Sequence, residues 1–419
     1  MLTNGHWSST TLGTLGDFRN GVNFDRSQEG AGLPILKVKD FGDLVFVPRT
    51  GLDELDTRRI SVSENQMLKE GDTVIVRSNG NRHLVGRCLY FRHCDRDVTF
   101  SGFCIRFRPN PILVNPLFAA YFIRSPFCRE RFAARGAGTG IQNLNQDVLA
   151  GLPVSLPPLS EQHQIVEVLT SLDEKIESNN RINDLLLRLA HTLFQHWFVD
   201  FAPFQKPGLE DSELGLIPKG WSVRPLYDSA KFINGDAFKE PDFSPRGVGL
   251  PVIKISELKN GITDTTRWCS KELEPRYRVR DGDILFSWSG SPETSIDIFL
   301  WGAGDGWLNQ HTFRVAAHRP IERPFVFFLL KQMKPVFVRL ASNKQTTGLG
   351  HVTAGDLKRL RVVLPPDSVL EQFNEQAGAW LDQMLANLKE NELLTRTRDY
   401  LLPKLLSGEV SVENVEIVA

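Results

Sequence analysis

Hydrophobic and polar positions follow two rhythms along this chain. From Ser160 to about Phe198 no proline or glycine interrupts the sequence. Alternating steps of four and three pick out Leu169, Leu172, Ile176, Asn179, Asn183, Leu186, Ala190, Leu193 and Trp197. The same beat returns at Phe373, Ala377, Trp380, Met384, Asn387, Asn391, Leu394, Arg398, Leu401 and Leu405. A repeat averaging 3.5 residues is the seam of a coiled coil, so each run predicts a long helix with a partner. Both seams carry two consecutive asparagines at matching positions. Buried asparagine costs stability and is a device for fixing register and partner. The two helices are therefore expected to pair with each other, antiparallel, with the asparagines near a common level. The pairing residues are Leu169, Leu172, Ile176, Asn179, Asn183, Leu186, Trp380, Met384, Asn387, Asn391 and Leu394. The alternative is two separate helices, each packed on its own domain.

Elsewhere the period shortens. Runs such as "DLVFV" (43–47) and "DTVIVR" (72–77) read as strands between Gly- and Asn-rich turns. "PLFAAYFIRS" (116–125) and "PFVFFLLKQM" (324–333) read as matching apolar helices. After each, an "LPP" (156–158 and 364–366) closes an extended segment, because proline continues neither a ladder nor a helix interior.

The chain is written twice. "WSSTTLGTLGDFRNGVNF" (7–24) resembles "WSVRPLYDSAKFINGDAF" (221–238), an offset of 214. "GLPILKV" (32–38) returns as "GLPVIKI" (249–255), and "EGDTVIVRSNG" (70–80) as "DGDILFSWSGS" (281–291). "LPP" and "NNRINDLLLR" (179–188, matching 387–396) both recur at an offset of 208. The Glu-Gln pairs after the prolines sit at 210, out of step with their surroundings. Ordered anchors with slowly drifting offsets mean duplication. Each copy is a mixed domain of about 150 residues followed by a long helix, two or more domains in all, in line with a 419-residue length.

Composition adds little: 41% hydrophobic and 24% charged residues fit a globular protein with a real core. Five cysteines without a CxxC pair fit no metal or disulfide framework and read as reduced thiols in a cytosol. "MLTNGHWSST" has no basic start and apolar run, so no signal peptide is expected. No stretch reaches about 18 apolar residues, so none is expected to span a membrane.

Net charge is −1, but charge is uneven. Residues 77–108 hold seven arginines against Asp95 and Asp97, and residues 331–361 hold seven Lys or Arg against Asp356. Such runs attract phosphate backbones, and Arg also pairs with guanine; they also occur as ordinary solvated faces. "VRSNGNRHLVGR" (76–87) and "SWSGSPET" (287–294) are turns dense in small polar side chains, suited to base edges or simply closing a hairpin. "RGAGTGIQNLNQD" (135–147) and "NKQTTGLGHVTAGD" (343–356) lack the Lys-Ser/Thr ending of a nucleotide P-loop. They would contact a DNA backbone or tie the domain to its helix. No Asp/Asn-Pro-Pro-aromatic motif, acid-acid-Lys set or HExxH spacing occurs, so no catalytic or metal site is expected.

The duplicated plan, the two "GLP" strands, the junction "LPPLSEQHQIVEVLTSLDEKIESNN", "LFQHWFVDF" (193–201) with "LGLIPKGW" (214–221), and the ending "LLPKLLSGEV" (401–410) together resemble the specificity subunit of Type I restriction–modification systems. The resemblance covers nearly the whole chain. Two departures stand out: the N-terminal lead-in keeps only "GHWS", and the second junction reads as two residues longer before Glu371.

What the resemblance implies is an α+β fold: a tandem repeat of a mixed α/β target recognition domain and a long helix, the helices pairing as an antiparallel coiled coil with pseudo-twofold symmetry. The expected boundaries are 1–158 and 206–366 for the recognition domains, 159–205 for the central spacer and 367–419 for the C-terminal spacer and tail. Each domain would read one half of a split double-stranded DNA target, with the helices setting the spacer and docking two modification subunits. Restriction subunits would complete a cytoplasmic complex that uses S-adenosylmethionine, ATP and Mg through its other subunits. This chain would supply address without catalysis. The candidate DNA contacts are Lys37, Lys39, Arg77, Ser78, Asn79, Asn81, Arg82, Arg135, Thr139 and Gln142 in the first copy. In the second they are Lys254, Ser287, Trp288, Ser289, Lys344, Gln345, Thr346 and His351. Competing readings are a stand-alone DNA-binding regulator dimerised through the rods and a protein scaffold with no DNA role.

Overall fold

The structure, a computed structural model, describes residues 7–42, 45–81, 84–135, 144–206, 208–345 and 348–412. The chain divides into two compact units, residues 1–174 with 395–419, and residues 175–394. The division cuts both long helices, so each unit contains a stretch of each.

In the first unit a four-stranded antiparallel sheet runs in the order Gly16–Asn20, Cys104–Pro109, Thr73–Val76, Cys88–Tyr90. The strand Thr73–Val76 is buried throughout because both its faces are covered. Ile75 joins one core cluster, while Val74 and Val76 join another. That is why it reads as an unbroken apolar run rather than an alternation. A smaller sheet places Glu29–Leu36, the first "GLP" strand, between Asp53–Leu55 and Thr99–Phe100. The "DLVFV" expectation needs correction: Asp43 and Leu44 lie outside the described residues, and Phe46 makes only an isolated bridge to Tyr90. Helix Pro116–Arg124 starts at Asn115, whose side chain accepts from the N–H of Leu117 and Phe118, with proline at the first helical position. Ser125-Pro126 ends it, and a second helix runs Pro126–Arg135.

The second unit repeats the sheet order with Lys231–Asn234, Thr312–Ala316, Ile284–Ser287 and Asp297–Leu300. Its "GLP" strand, Leu250–Ile253, pairs antiparallel with Trp268–Cys269 and parallel with Gly306–Leu308. Its apolar helix is longer, Arg323–Asn343, and passes through Pro335. The Asn-Gly repeat is a close approach of backbones. A Cβ on Gly21 would lie 2.2 Å from the Ser101 carbonyl, and one on Gly235 2.2 Å from that of Asn309. Only glycine fits such a contact.

The long helices are Leu159–Phe194, closed by a π turn at Gln195–Val199, and Ala379–Ser407. The second is preceded by helix Asp367–Phe373 and a π turn at Asn374–Gly378. The first helix opens at Leu159 and the helix at the second junction at Asp367, an offset of 208, so the second junction is not stretched. Gln162 is buried, accepts from the Asn115 N–H at 2.8 Å and donates to the Pro157 carbonyl. Its counterpart at 208 is Leu370, also buried, whereas Glu371 and Gln372 are exposed. The Glu-Gln likeness is therefore accidental, and a buried polar position in one copy is apolar in the other.

Candidate nucleic-acid interface

The turn after each central strand is held in the same way in both copies. In the first unit the Arg77 N–H donates to the Phe103 carbonyl at 2.9 Å, and the Arg77 carbonyl accepts from the Leu144 N–H at 2.8 Å. In the second, the Trp288 N–H donates to His311 at 3.4 Å, and the Trp288 carbonyl accepts from Val352 at 2.8 Å. Residues 77 and 288 stand 211 apart, the offset of the repeat itself. The backbone thus brings the polar turn against Leu144 in the first unit and Val352 in the second. In the second, Ser289 pairs with His351 and Gly290 with Gly350 as a two-stranded ladder. A Cβ on Gly350 would lie 2.2 Å from the Ala341 carbonyl, which explains glycine there.

The side chains on this shared frame differ. In the first unit Ser78 and Asn79 are half-buried, Asn81 is exposed, and the Asn79 side chain accepts from the Asn81 N–H at 2.8 Å, an Asx turn. Phe103, beside them, is 63% exposed. In the second unit Trp288 donates from Nε1 to Asn234 Oδ1 at 3.1 Å, with its ring 5.8 Å from that of His311. His311 and His351 are exposed. Sequence reading missed Phe103, Asn234 and His311, which precede or follow the quoted turns. The available signal was an aromatic in the Gly-flanked turn "SGFC".

Several candidates are engaged elsewhere. Ser287 is 0% exposed at the end of its strand, so the expected surface contact is corrected: the strand packs between two core layers. Lys37 sits between Glu29 and Asp53 at 2.7 and 2.9 Å, and Lys39 pairs with Asp53 at 2.7 Å. Lys254 lies over the Phe243 ring, 5.0 Å from its centroid. Lys344 Nζ donates to both oxygens of buried Asp356, which also holds Arg359 and Thr353. Burial alone would raise the Asp356 pKa, but hydrogen bonds from Lys344, Thr353 and Arg359 hold it well below the usual carboxylate range. Gln345 is exposed and donates to the Gly348 carbonyl at 2.7 Å. Arg82, Thr139, Gln142, Thr346 and the Arg135 side chain lie outside the described residues.

Several members of the basic runs are paired with acidic side chains. Arg106 is 2% exposed and paired with Asp17, and Arg108 grips buried Asp72 through two bonds of 2.7 Å. Arg92 stacks on Phe46 and meets Glu174, and Arg96 meets Glu54. In the second run Lys331 and Lys334 share Asp297, and Arg361 faces Glu213. The linear charge excess is therefore no measure of a phosphate-binding face.

The helices pair antiparallel. Asn179 Nδ2 donates to Asn391 Oδ1 at 2.9 Å and to Glu390 at 2.7 Å. Asn391 Nδ2 donates to Asn180 Oδ1, and Asn387 Nδ2 to Asn183 Oδ1, both at 2.8 Å. Leu169, Asn179, Met384, Asn387 and Asn391 are buried; Leu172, Ile176, Asn183, Leu186, Trp380 and Leu394 are half-buried. The sequence reading missed Asn180, Glu390, Leu381 and Asp173.

A family model for the Type I restriction modification DNA specificity domain matches residues 6–188 and again 218–395. The chain belongs to that family. As a specificity subunit it is the non-catalytic part of a Type I restriction–modification complex and recognises the DNA target. The EcoKI specificity subunit of Escherichia coli is 25% identical over 450 residues, covering 97% of this chain and 90% of that one. The HindI specificity subunit of Haemophilus influenzae is 24% identical, covering 95% and 98%. The MjaIX specificity subunit of Methanocaldococcus jannaschii is 26% identical, covering 70% and 69%. The crystal structure of a Type I restriction–modification S subunit from M. genitalium shares the fold, with a TM-score of 0.52 at 17% identity and 97% of each chain covered. No helix among the described residues is long and apolar enough to cross a membrane.

Proposed function

We propose that each repeat of this specificity subunit is a recognition domain for one half of a split double-stranded DNA target. One observation carries the reading. The same backbone frame, Arg77 between Phe103 and Leu144 and Trp288 between His311 and Val352, carries different exposed side chains in the two copies. A conserved frame with divergent side chains suits two half-sites of different sequence. The readers are Arg77, Ser78, Asn79, Asn81 and Phe103 in one domain and Trp288, Ser289, Asn234, His311 and His351 in the other. The paired helices set the unspecified spacer and dock two modification subunits, which bring S-adenosylmethionine. Restriction subunits add ATP- and Mg-dependent steps in a cytoplasmic complex.

The test is a methylome of cells that express this chain with its modification partner. Replacing residues 206–364 by the corresponding domain of another family member changes one half of the methylated site and leaves the other. A change in both halves would overturn the assignment of one domain to one half-site.

A further inference from the structure

The helix pairing contains a buried charged cluster that the repeat does not duplicate. In the first unit the Tyr121 hydroxyl donates to Asp173 Oδ2 at 2.7 Å, and Arg398 Nη1 donates to Asp173 Oδ1 at 2.8 Å. Arg398 also holds Asp399. Side-chain exposure is 9% for Arg398 and 4% for Asp173, so the pair is fully inside the helix interface. Shifting by 208 residues, the offset that aligns Asn179 with Asn387 and Asn183 with Asn391, gives the counterparts in the second unit. They are Leu329 for Tyr121, Leu381 for Asp173 and Ala190 for Arg398. All three are buried in the core of that unit.

This asymmetry bears on partner choice. A duplicated chain presents two similar helices, and each seam resembles the other. Pair the first helix with the first helix of a second copy, and Asn179 meets Asn183, the counterpart of Asn391. The seam Asn–Asn contacts would be kept, although Asn179 would lose Glu390, whose counterpart is Ile182. Those contacts therefore fix direction and level more than partner. Asp173 would instead face Ala190, leaving a carboxylate buried with no cation. In a pairing of two second helices, Arg398 would face Leu381 and keep only Asp399, the exposed neighbour on its own helix, losing the buried carboxylate across the interface. An unpaired buried charge is strongly unfavourable, whereas a paired one is tolerated.

We infer that Asp173 and Arg398 make the two helices select each other over a second copy of themselves. The interaction surface is thus built for one occupant, the other helix of a specificity subunit. This holds whether or not the half-site reading of the recognition domains stands, because it depends only on the interior of the helix pair.

The experiment uses full-length chains. Two preparations with different tags are unfolded, mixed and refolded, and the fraction of chains captured through the other copy's tag is measured. Melting by circular dichroism confirms that each variant folds. In the variant Tyr121→Leu, Asp173→Leu, Arg398→Ala the first unit copies the second, and exchange between tags rises several-fold over the unsubstituted chain. The reciprocal variant Leu329→Tyr, Leu381→Asp, Ala190→Arg gives every pairing its own ion pair, and exchange rises likewise. The reversal Asp173→Arg, Arg398→Asp keeps the chain selective, with exchange as low as before. Folded variants whose exchange equals that of the unsubstituted chain in both of the first two cases would overturn the inference. So would a reversed pair that folds yet exchanges freely.

Discussion

Asn179 donates to Asn391 across the helix pair at 2.9 Å, although 212 residues separate them in sequence. The relationship joins two of the four seam asparagines, and Asn183 with Asn387 joins the others. Asn391 in turn donates to Asn180 at 2.8 Å and Asn183 to the Met384 carbonyl at 3.4 Å, so each seam amide has a protein partner.

Replacing Asn179 and Asn387 with leucine strips both amide pairs of a partner and leaves Asn183 and Asn391 under-bonded in a half-dry interface. Each group left unsatisfied costs about 1–3 kcal/mol. The urea midpoint of the double variant falls, and light scattering or a cross-linking map shows an altered oligomeric state or helix register. If register and assembly both stay as they were, the asparagines do not set them.

Arg108 belongs to the arginine-rich run yet holds Asp72, which is 1% exposed. Arg108→Ala strands a buried carboxylate, a change typically worth about 3–5 kcal/mol. The predicted signature is a lower unfolding midpoint with an unchanged slope of log affinity against log salt for target DNA. A phosphate contact would behave oppositely: the slope would fall by about one and the fold would stand.

The Arg77 N–H donates to the Phe103 carbonyl, so the two side chains leave the same polar turn. Arg77→Ala and Phe103→Ala each weaken binding of the specific target by about 1–3 kcal/mol if they touch bases. Competition against randomised duplexes shows relaxed preference at one or two positions within a single half-site. Equal loss on specific and random DNA would exclude both from base reading.

Asp356 is ionised against Lys344 and Arg359, and its pKa in the folded chain lies below the unfolded value of about 3.9. A depressed carboxylate contributes stability that is present above the unfolded pKa and is lost as pH falls through the folded one. The unfolding free energy therefore declines more steeply below about pH 4 in the unsubstituted chain than in Asp356→Asn. Denaturation at a series of acid pH values measures the difference; parallel curves would contradict it.

Local period and repetition were enough to read the strand–helix plan, the seam of each long helix and the duplication. Central strands buried on both faces are mostly apolar, and paired helices repeat about every 3.5 residues, so these features are written into consecutive residues. The Asn-Gly repeat was equally legible, because a backbone contact at 2.2 Å from an added Cβ admits no other residue. Where the charges go was not legible. Arg106 finds Asp17 and Arg108 finds Asp72 across a sheet whose neighbours are distant in sequence, so a run that looks basic on the line is neutralised in space. The burial of Ser287 and the union of Tyr121, Asp173 and Arg398 were likewise decided by the tertiary structure. Each depends on which residues from far along the chain share one dry interior, and no local pattern carries that information.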